Sequence, residues 1–391
     1  MTGFRTQPGL RGVMTGPDCV TSELAAELER QGVTRPLVVC GANVARSPVM
    51  ATVREALAAA PLIFPGSLPH TPVETVDDGA EAGRAGRVDG LIAVGGSSAV
   101  DCAKGIAVLL ATGHRHVADL TPAAFGRLGD PFDGAGGPPV ALLMVTTTLS
   151  FAEFLPFWGV RRTDLGRKVA YPDYGRVMRT VFLDGGVAAH TPDSVWAETG
   201  VKALDDAISA FCRSGQPEPF LDPILIQAIG DLIHGLPASL GSEGTDARRR
   251  SRQDVLTSTW MTKFPLPRLG PVTTTGWFST AARHALGGVW ALPHGVGSCV
   301  SLVEGLGFHA SATGSRQAAL ATALGWAPPD NDGTQVGVRL SELLDALGVP
   351  TRLGECGIAP DGLGPVIEHM LAESPQLGTY DEIARTWQQM R

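Results

Sequence analysis

The chain has 391 residues, 44% of them hydrophobic, with 49 glycines, 29 prolines and a formal net charge of -8. That length allows two domains with full cores, and an acidic balance argues against nucleic acid as a partner and leaves small molecules. No apolar stretch reaches the roughly 18 residues that span a bilayer, residues 1–5 lack the apolar core of a signal peptide, and six scattered cysteines show no paired spacing for disulfides or zinc, so a cytoplasmic location is expected.

Pro36–Cys40 reads as a short apolar strand running into Gly41-Ala42-Asn43, with a helix over 49–60. Leu62–Phe64 is a second strand, 73–86 a helix, and 90–94 a third strand that stops abruptly at Gly95-Gly96-Ser97-Ser98 before a helix over 99–110. Residues 140–147 form a strand ending in a threonine cluster, and 179–183 a strand ending at Asp184. Strands separated by helices imply a parallel sheet covered on both faces, with ligands beyond the carboxyl ends of the strands. Four such ends, at 41–43, 95–98, 146–148 and 184, point to one crevice. From about residue 194 the texture is helical: 195–211, 223–240, 246–261, 278–285, 311–324, 336–347 and 363–372 carry helical spacing. The break at His190-Thr191-Pro192 divides an α/β dinucleotide-binding domain, 1–190, from an all-helical domain, 191–391, with the active site expected in the cleft between them.

The turn at 95–98 has the chemistry of an anion site. Free backbone N–H groups and the positive end of the helix dipole converge there, the glycines admit a phosphate, and Ser97 and Ser98 can cap the helix or donate hydroxyls. A glycine turn alone is often only a steric corner. Followed by Asp101 and Lys104, this one resembles the Gly-Gly-Gly-Ser-x-x-Asp-x-x-Lys cofactor signature of the iron-containing alcohol dehydrogenase family. Other segments are similar to its maleylacetate reductase branch: His70-Thr71-Pro72-Val73-Glu74, the loop from Thr146 to Glu153, the stretch from Thr199 to Ile208, and Arg283-His284-Ala285-Leu286-Gly287-Gly288 through to Leu292-Pro293-His294. The resemblance implies the dehydroquinate synthase-like fold of that family.

It also implies roles. Gly95, Gly96, Ser97 and Ser98 would cradle a pyrophosphate, with Asp101 and Lys104 in the helix that follows. Thr146 and Thr147 match the adenine- and ribose-side loop, and Lys168 a lysine near the nicotinamide ribose. Asn43 stands where a ribose hydroxyl is told from a 2′-phosphate; without a carboxylate there, and with Arg46 nearby, NADP is slightly favoured over NAD. Bulky Leu149 and Phe151 replace small loop residues and are expected to narrow the nicotinamide pocket.

The metal site departs from the family pattern of one aspartate and three histidines. Lys202 falls at the aspartate position, Asp206 and Thr280 at two histidine positions, and only His294 remains a ligand type. Zinc sites use three or four Cys, His or carboxylate ligands, so no catalytic metal is expected. Lys202 and Asp206 are spaced to pair across one helical turn, and with neutral Thr280 and His294 they sum to zero charge. The ammonium can polarise a carbonyl or hold a carboxylate in place of the metal; the bland alternative is an ion pair that merely fills the site. His284, whose type titrates near pH 6.5, falls where the resemblance implies proton relay, although a lone helical histidine is more often a packing residue.

Two functions follow. One is a metal-independent NAD(P)H-dependent reductase of a carbonyl or activated alkene in a small oxo-acid, with His284, Lys202, Asp206 and His294 as its catalytic set. The other is a non-redox enzyme on the same fold, performing acid-base cyclisation, isomerisation or elimination with Lys202, Asp206 and His284. A catalytically silent binding homologue is the plain third reading. A small-molecule substrate and a homodimer are expected, with no membrane or nucleic-acid partner.

Overall fold

The sheet that carries the glycine turn is built of β1 (Gly12–Thr15), β2 (Pro36–Cys40), β3 (Leu62–Phe64), β4 (Gly90–Gly95), β5 (Ala141–Thr146) and β8 (Thr180–Leu183). Its order is β1-β8-β5-β4-β2-β3 and every pairing is parallel. A separate antiparallel hairpin, β6 (Phe157–Arg162) and β7 (Arg167–Pro172), was not anticipated from the sequence. The helices are α1 (Cys19–Arg30), α2 (Ala42–Ala45), α3 (Pro48–Glu55), α4 (Val73–Ala85), α5 (Ser97–Thr112), α6 (Gly185–Ala188), α7 (Asp193–Arg213), α8 (Leu221–Ala238), α9 (Asp246–Lys263), α10 (Phe278–Trp290), α11 (His294–Phe308), α12 (Ala310–Ala323), α13 (Thr334–Leu347), α14 (Gly364–Glu373) and α15 (Tyr380–Gln389). This computed structural model describes residues 10–57, 59–120, 140–155, 157–165, 167–172, 178–241, 245–263, 276–326 and 332–389; residues 1–5, read above for a leader, lie outside them.

All six residues of β4 and of β5 are buried, as a parallel strand covered on both faces requires, which is why both read as unbroken apolar runs. Register sets Gly95 opposite Thr146 and Cys40 opposite Val94. Because the strands are parallel, the carboxyl ends of β2, β4, β5 and β8 share one edge of the sheet. α5 leaves that edge directly, is buried along nearly its whole length, and stops at Gly113 in the left-handed conformation that favours glycine.

The chain divides into two compact units, Met1–Thr191 with Ser242–Thr257, and Pro192–Gly241 with Ser258–Arg391. The expected uninterrupted helical domain over 191–391 is therefore corrected: the first part of α9 belongs with the sheet unit. Arginine chemistry explains this. Arg248 donates to the carbonyls of Ala189 and Thr191, and Arg252 to those of Ala188 and Thr191, adding side-chain donors to carbonyls at and just after the end of α6, of which Ala188 O also accepts from Thr191 N–H. Gln253 accepts from Gly185 N–H and donates to Leu183 O.

In the second unit α10 runs on to Trp290, past Gly287 and Gly288, and turns at Ala291 into α11. Helix α11 was not among those expected from spacing, and Gly295, Gly297, Gly305 and Gly307 interrupt its pattern. At Gly297 the reason for glycine is close approach, since a Cβ there would lie 2.7 Å from Arg283 Cβ. Among the described residues no helix is long and apolar enough to cross a membrane.

Candidate functional site

In the sheet unit the turn after β4 keeps its amides open. Gly95 has φ 147°, a value side-chain-bearing residues rarely adopt. Gly96 is the N-cap of α5 and no side chain caps the helix, which corrects the expectation that Ser97 or Ser98 does so: both lie inside the first turn. A 16-residue helix therefore presents its first amides without a side-chain cap and without a Cβ in front of them, and this fits a pyrophosphate. Asn43 Oδ1 accepts from Arg46 at 3.1 Å, and both residues are exposed.

The other expected cofactor residues divide into exposed and committed groups. Lys168 on β7 is exposed and lies beside Asp101, with Gly159 where the two approach. Burial pushes the Asp101 carboxyl up, while Lys168, Lys104 and the Gly159 N–H oppose the rise. Lys104 is 1% exposed and donates to the carbonyls of Ala152, Leu155 and Phe157, so its ammonium scaffolds the following loop. Thr146 Oγ1 donates to Glu153 at 2.6 Å, and Thr147 bonds Gly95 O through its amide and Thr191 through its carbonyl. Asp184 gives both oxygens to backbone amides, of Gly186, Val187, Asp18 and Val20. Leu149 and Phe151 are fully buried, with Phe151 stacked on Phe154, so their bulk fills core.

In the helical unit, Lys202 and Asp206 do pair across one turn of α7, Nζ to Oδ2 at 2.8 Å, but they are not alone. Lys263, the last residue of α9, donates to the same Oδ2. Arg283 on α10 donates to Asp206 Oδ1 at 2.6 Å and to Asp205 Oδ2 at 2.9 Å. Asp205 is fully buried and also accepts from Ser279 and Ser298. Three cations and two carboxylates thus meet in one cluster; burial raises the Asp205 carboxyl against the pull of Arg283, and with both carboxylates ionised the cluster carries one positive charge in excess, where Lys202 and Asp206 alone sum to zero. Burial would raise the Asp206 carboxyl, but Arg283, Lys202 and Lys263 outweigh it and hold it well below the usual carboxylate range. Burial lowers Lys202 to about 8, against the pull of Asp206 and with help from Lys263 and Arg283.

His284, one residue after Arg283, places Nδ1 2.5 Å from Glu373 Oε1 at the end of α14. Burial raises Glu373, but His284 lowers it further; an ionised carboxylate only accepts, so Nδ1 carries the proton. The His294 ring meets His284 edge-on at 5.3 Å, and Thr280 is buried. Sequence reasoning missed Asp205, Lys263, Arg283 and Glu373. Asp205 and Arg283 adjoin motif residues, whereas nothing local marks Lys263 or Glu373.

This donor set does not fit a divalent cation. An ammonium has no lone pair to give, both oxygens of Asp206 are held by three cations, and His294 alone supplies a good ligand. Among the described residues no group of three or more His, Cys, Asp or Glu is arranged to hold a metal ion.

A glycine turn at the carboxyl edge of a parallel sheet, joined to an all-helical unit with buried titratable groups, is the build of a dinucleotide-dependent oxidoreductase. The chain belongs to the iron-containing alcohol dehydrogenase family: residues 11–185 match "Iron-containing alcohol dehydrogenase" and residues 196–387 match "Fe-containing alcohol dehydrogenase family, C-terminal". It is 24% identical to alcohol dehydrogenase 4 of Schizosaccharomyces pombe, covering 94% of this chain and 85% of that one. Maleylacetate reductase 1 of Rhodococcus opacus is 26% identical, with 75% and 70% covered. The fold is shared with sulfoacetaldehyde reductase from Bifidobacterium kashiwanohense in complex with NAD+, at TM-score 0.80 and 18% identity, over 98% of each chain.

Proposed function

We propose that the protein is a metal-independent NAD(P)H-dependent reductase, similar to maleylacetate reductases, acting on a carbonyl or activated alkene of a small oxo-acid. The observation that carries this reading is the cluster at 202, 205, 206, 263 and 283. It keeps one excess positive charge where the family pattern, one aspartate, three neutral histidines and a dication, also sums to one. Gly95, Gly96 and the first amides of α5 hold the dinucleotide diphosphate, and a reduced nicotinamide supplies hydride when bound. Lys202, the most exposed of the three cations at 16%, stabilises the substrate oxygen as it gains charge. His284 delivers the proton, and the Glu373 carboxylate orients its ring and favours the imidazolium that must form. NADP is slightly favoured, because Arg46 attracts a 2′-phosphate and no carboxylate at Asn43 repels it. All six cysteines are free, which suits the reducing cytoplasm, and the reading includes a homodimer.

Titration with NADPH and NADH, followed by nicotinamide fluorescence, tests the redox reading; failure to bind either leaves the acid-base alternative. The purified protein is expected to carry far less than one iron or zinc per chain, and EDTA to leave activity unchanged. One tightly bound metal per chain would overturn the role given to Lys202. Turnover in the reducing direction is expected to fall as pH rises through about 8, where the Lys202 ammonium is lost. Lys202→Arg, whose guanidinium stays charged, should move that fall to higher pH, and an unchanged profile would rule the ammonium out.

A further inference from the structure

Lys263 stands 57 positions from Asp206 in the chain, yet its ammonium shares Asp206 Oδ2 with that of Lys202. The two nitrogens are therefore no more than two hydrogen-bond lengths apart, about 6 Å. At 1% side-chain exposure Lys263 does not reach the surface, whereas Lys202 is the outermost cation of the cluster at 16%. Asp206 Oδ1 is already taken by Arg283. One carboxylate is thus shared by three cations, and Asp205, held by Arg283 and two serine hydroxyls, relieves only the guanidinium. Such a group is short of one negative charge, and the shortfall falls on its most exposed member.

We infer that Lys263 is a positioning residue: by sharing Asp206 from the buried side it leaves the Lys202 ammonium only partly compensated, as a receptor for the carboxylate of a small 2-oxo-acid beside the oxo oxygen that gains charge. The inference rests on the reductase reading for the class of substrate. Without Lys263, Lys202 alone holds Asp206 Oδ2 while Arg283 keeps Oδ1, two cations face two carboxylates, and the receptor loses its excess charge. A lysine that merely held α9 in place would affect stability and leave anion affinity alone.

The test is calorimetric titration of the full-length protein, without nucleotide, with oxamate, an unreactive mimic of a 2-oxo-acid, and with ethyl oxamate, its uncharged ester. Wild type is expected to prefer oxamate at least about tenfold, as one charge-assisted hydrogen bond to a desolvated ammonium supplies. Lys263→Met should lose most of that preference and Lys263→Arg keep it. If Lys263→Met does not fold, the double variant Lys263→Met with Asp206→Asn decides, because it removes one charge of each sign and retains the excess; it should bind oxamate within about threefold of wild type. No preference for oxamate in wild type, an unchanged preference in Lys263→Met, or loss of binding in the double variant would overturn the inference. Nucleotide is absent, so failure of the reductase reading shows separately, in the NADPH and NADH titrations.

Discussion

Gly96→Val is expected to abolish dinucleotide binding and leave the fold standing. A Cβ at Gly96 would sit 2.7 Å from Thr148 Oγ1 and 3.1 Å from Thr148 Cγ2, so the loop after β5 must give way, and the valine methyls then cover the first amides of α5. Two charge-assisted hydrogen bonds lost there weaken binding by about 100-fold or more. Gly96 itself has φ -109° and ψ -157°, extended backbone that valine adopts without strain, so the obstruction is steric. The positive φ belongs to Gly95, where any substitution strains the turn and where a Cβ would also meet Ala99 Cβ at 3.1 Å. Overpacking against Thr148, whose hydroxyl bonds Ser150, costs about 1–3 kcal/mol, and a thermal melt checks that the variant remains folded. NADPH affinity within about threefold of wild type would mean that the turn only closes a strand-helix corner.

Lys202→Met is expected to lower turnover by about 100-fold or more, as removal of one preorganised oxyanion donor does, with little loss of stability. Asp206 keeps Lys263 and Arg283 when Lys202 is gone, so no carboxylate is stranded, and the remaining cluster is neutral. The pKa points the same way. In the fold Lys202 titrates near 8 instead of 10.5, so folding disfavours its charged form by roughly 3 kcal/mol. That cost is present in full below pH 8, shrinks as pH rises toward 10.5, and is absent above it. Removing that cost favours the fold, so the variant should melt at or above the wild-type temperature near neutral pH. If Lys202 were only a structural partner, Lys202→Met would lose stability as broken buried pairs do, while activity per folded molecule survived.

Much of this protein was legible in one dimension. The apolar runs of β4 and β5 are continuous because parallel strands are buried on both sides, and the punctuation after them, Gly95-Gly96 and Thr146-Thr147-Thr148, marks the carboxyl edge of the sheet. Equally plain was that Lys202, Asp206 and Thr280 stand where the resemblance implies metal ligands, with chemistry that does not suit them. Less legible were segments whose glycines serve packing. Gly295 and Gly297 let α11 approach α7 and the α10 backbone around Arg283, a requirement set by neighbouring helices that looks like a loop in the sequence. The hairpin of β6 and β7 was missed because neither strand alternates strongly and the pair stands apart from the main sheet.

The sequence by itself determined the alternation of strand and helix, the glycine turn at the sheet edge and the spacing of Lys202 and Asp206 on one helix, all of which depend on a few dozen neighbouring residues. Tertiary structure alone decided the electrostatics of the candidate site. Lys263 and Arg283 reach Asp206 from 57 and 77 positions away, and Glu373 reaches His284 from 89. Coulomb energy depends on separation in space and on burial, neither of which is written in the order of residues, so a pair that sums to zero in the sequence becomes a five-membered cluster with one positive charge to spare.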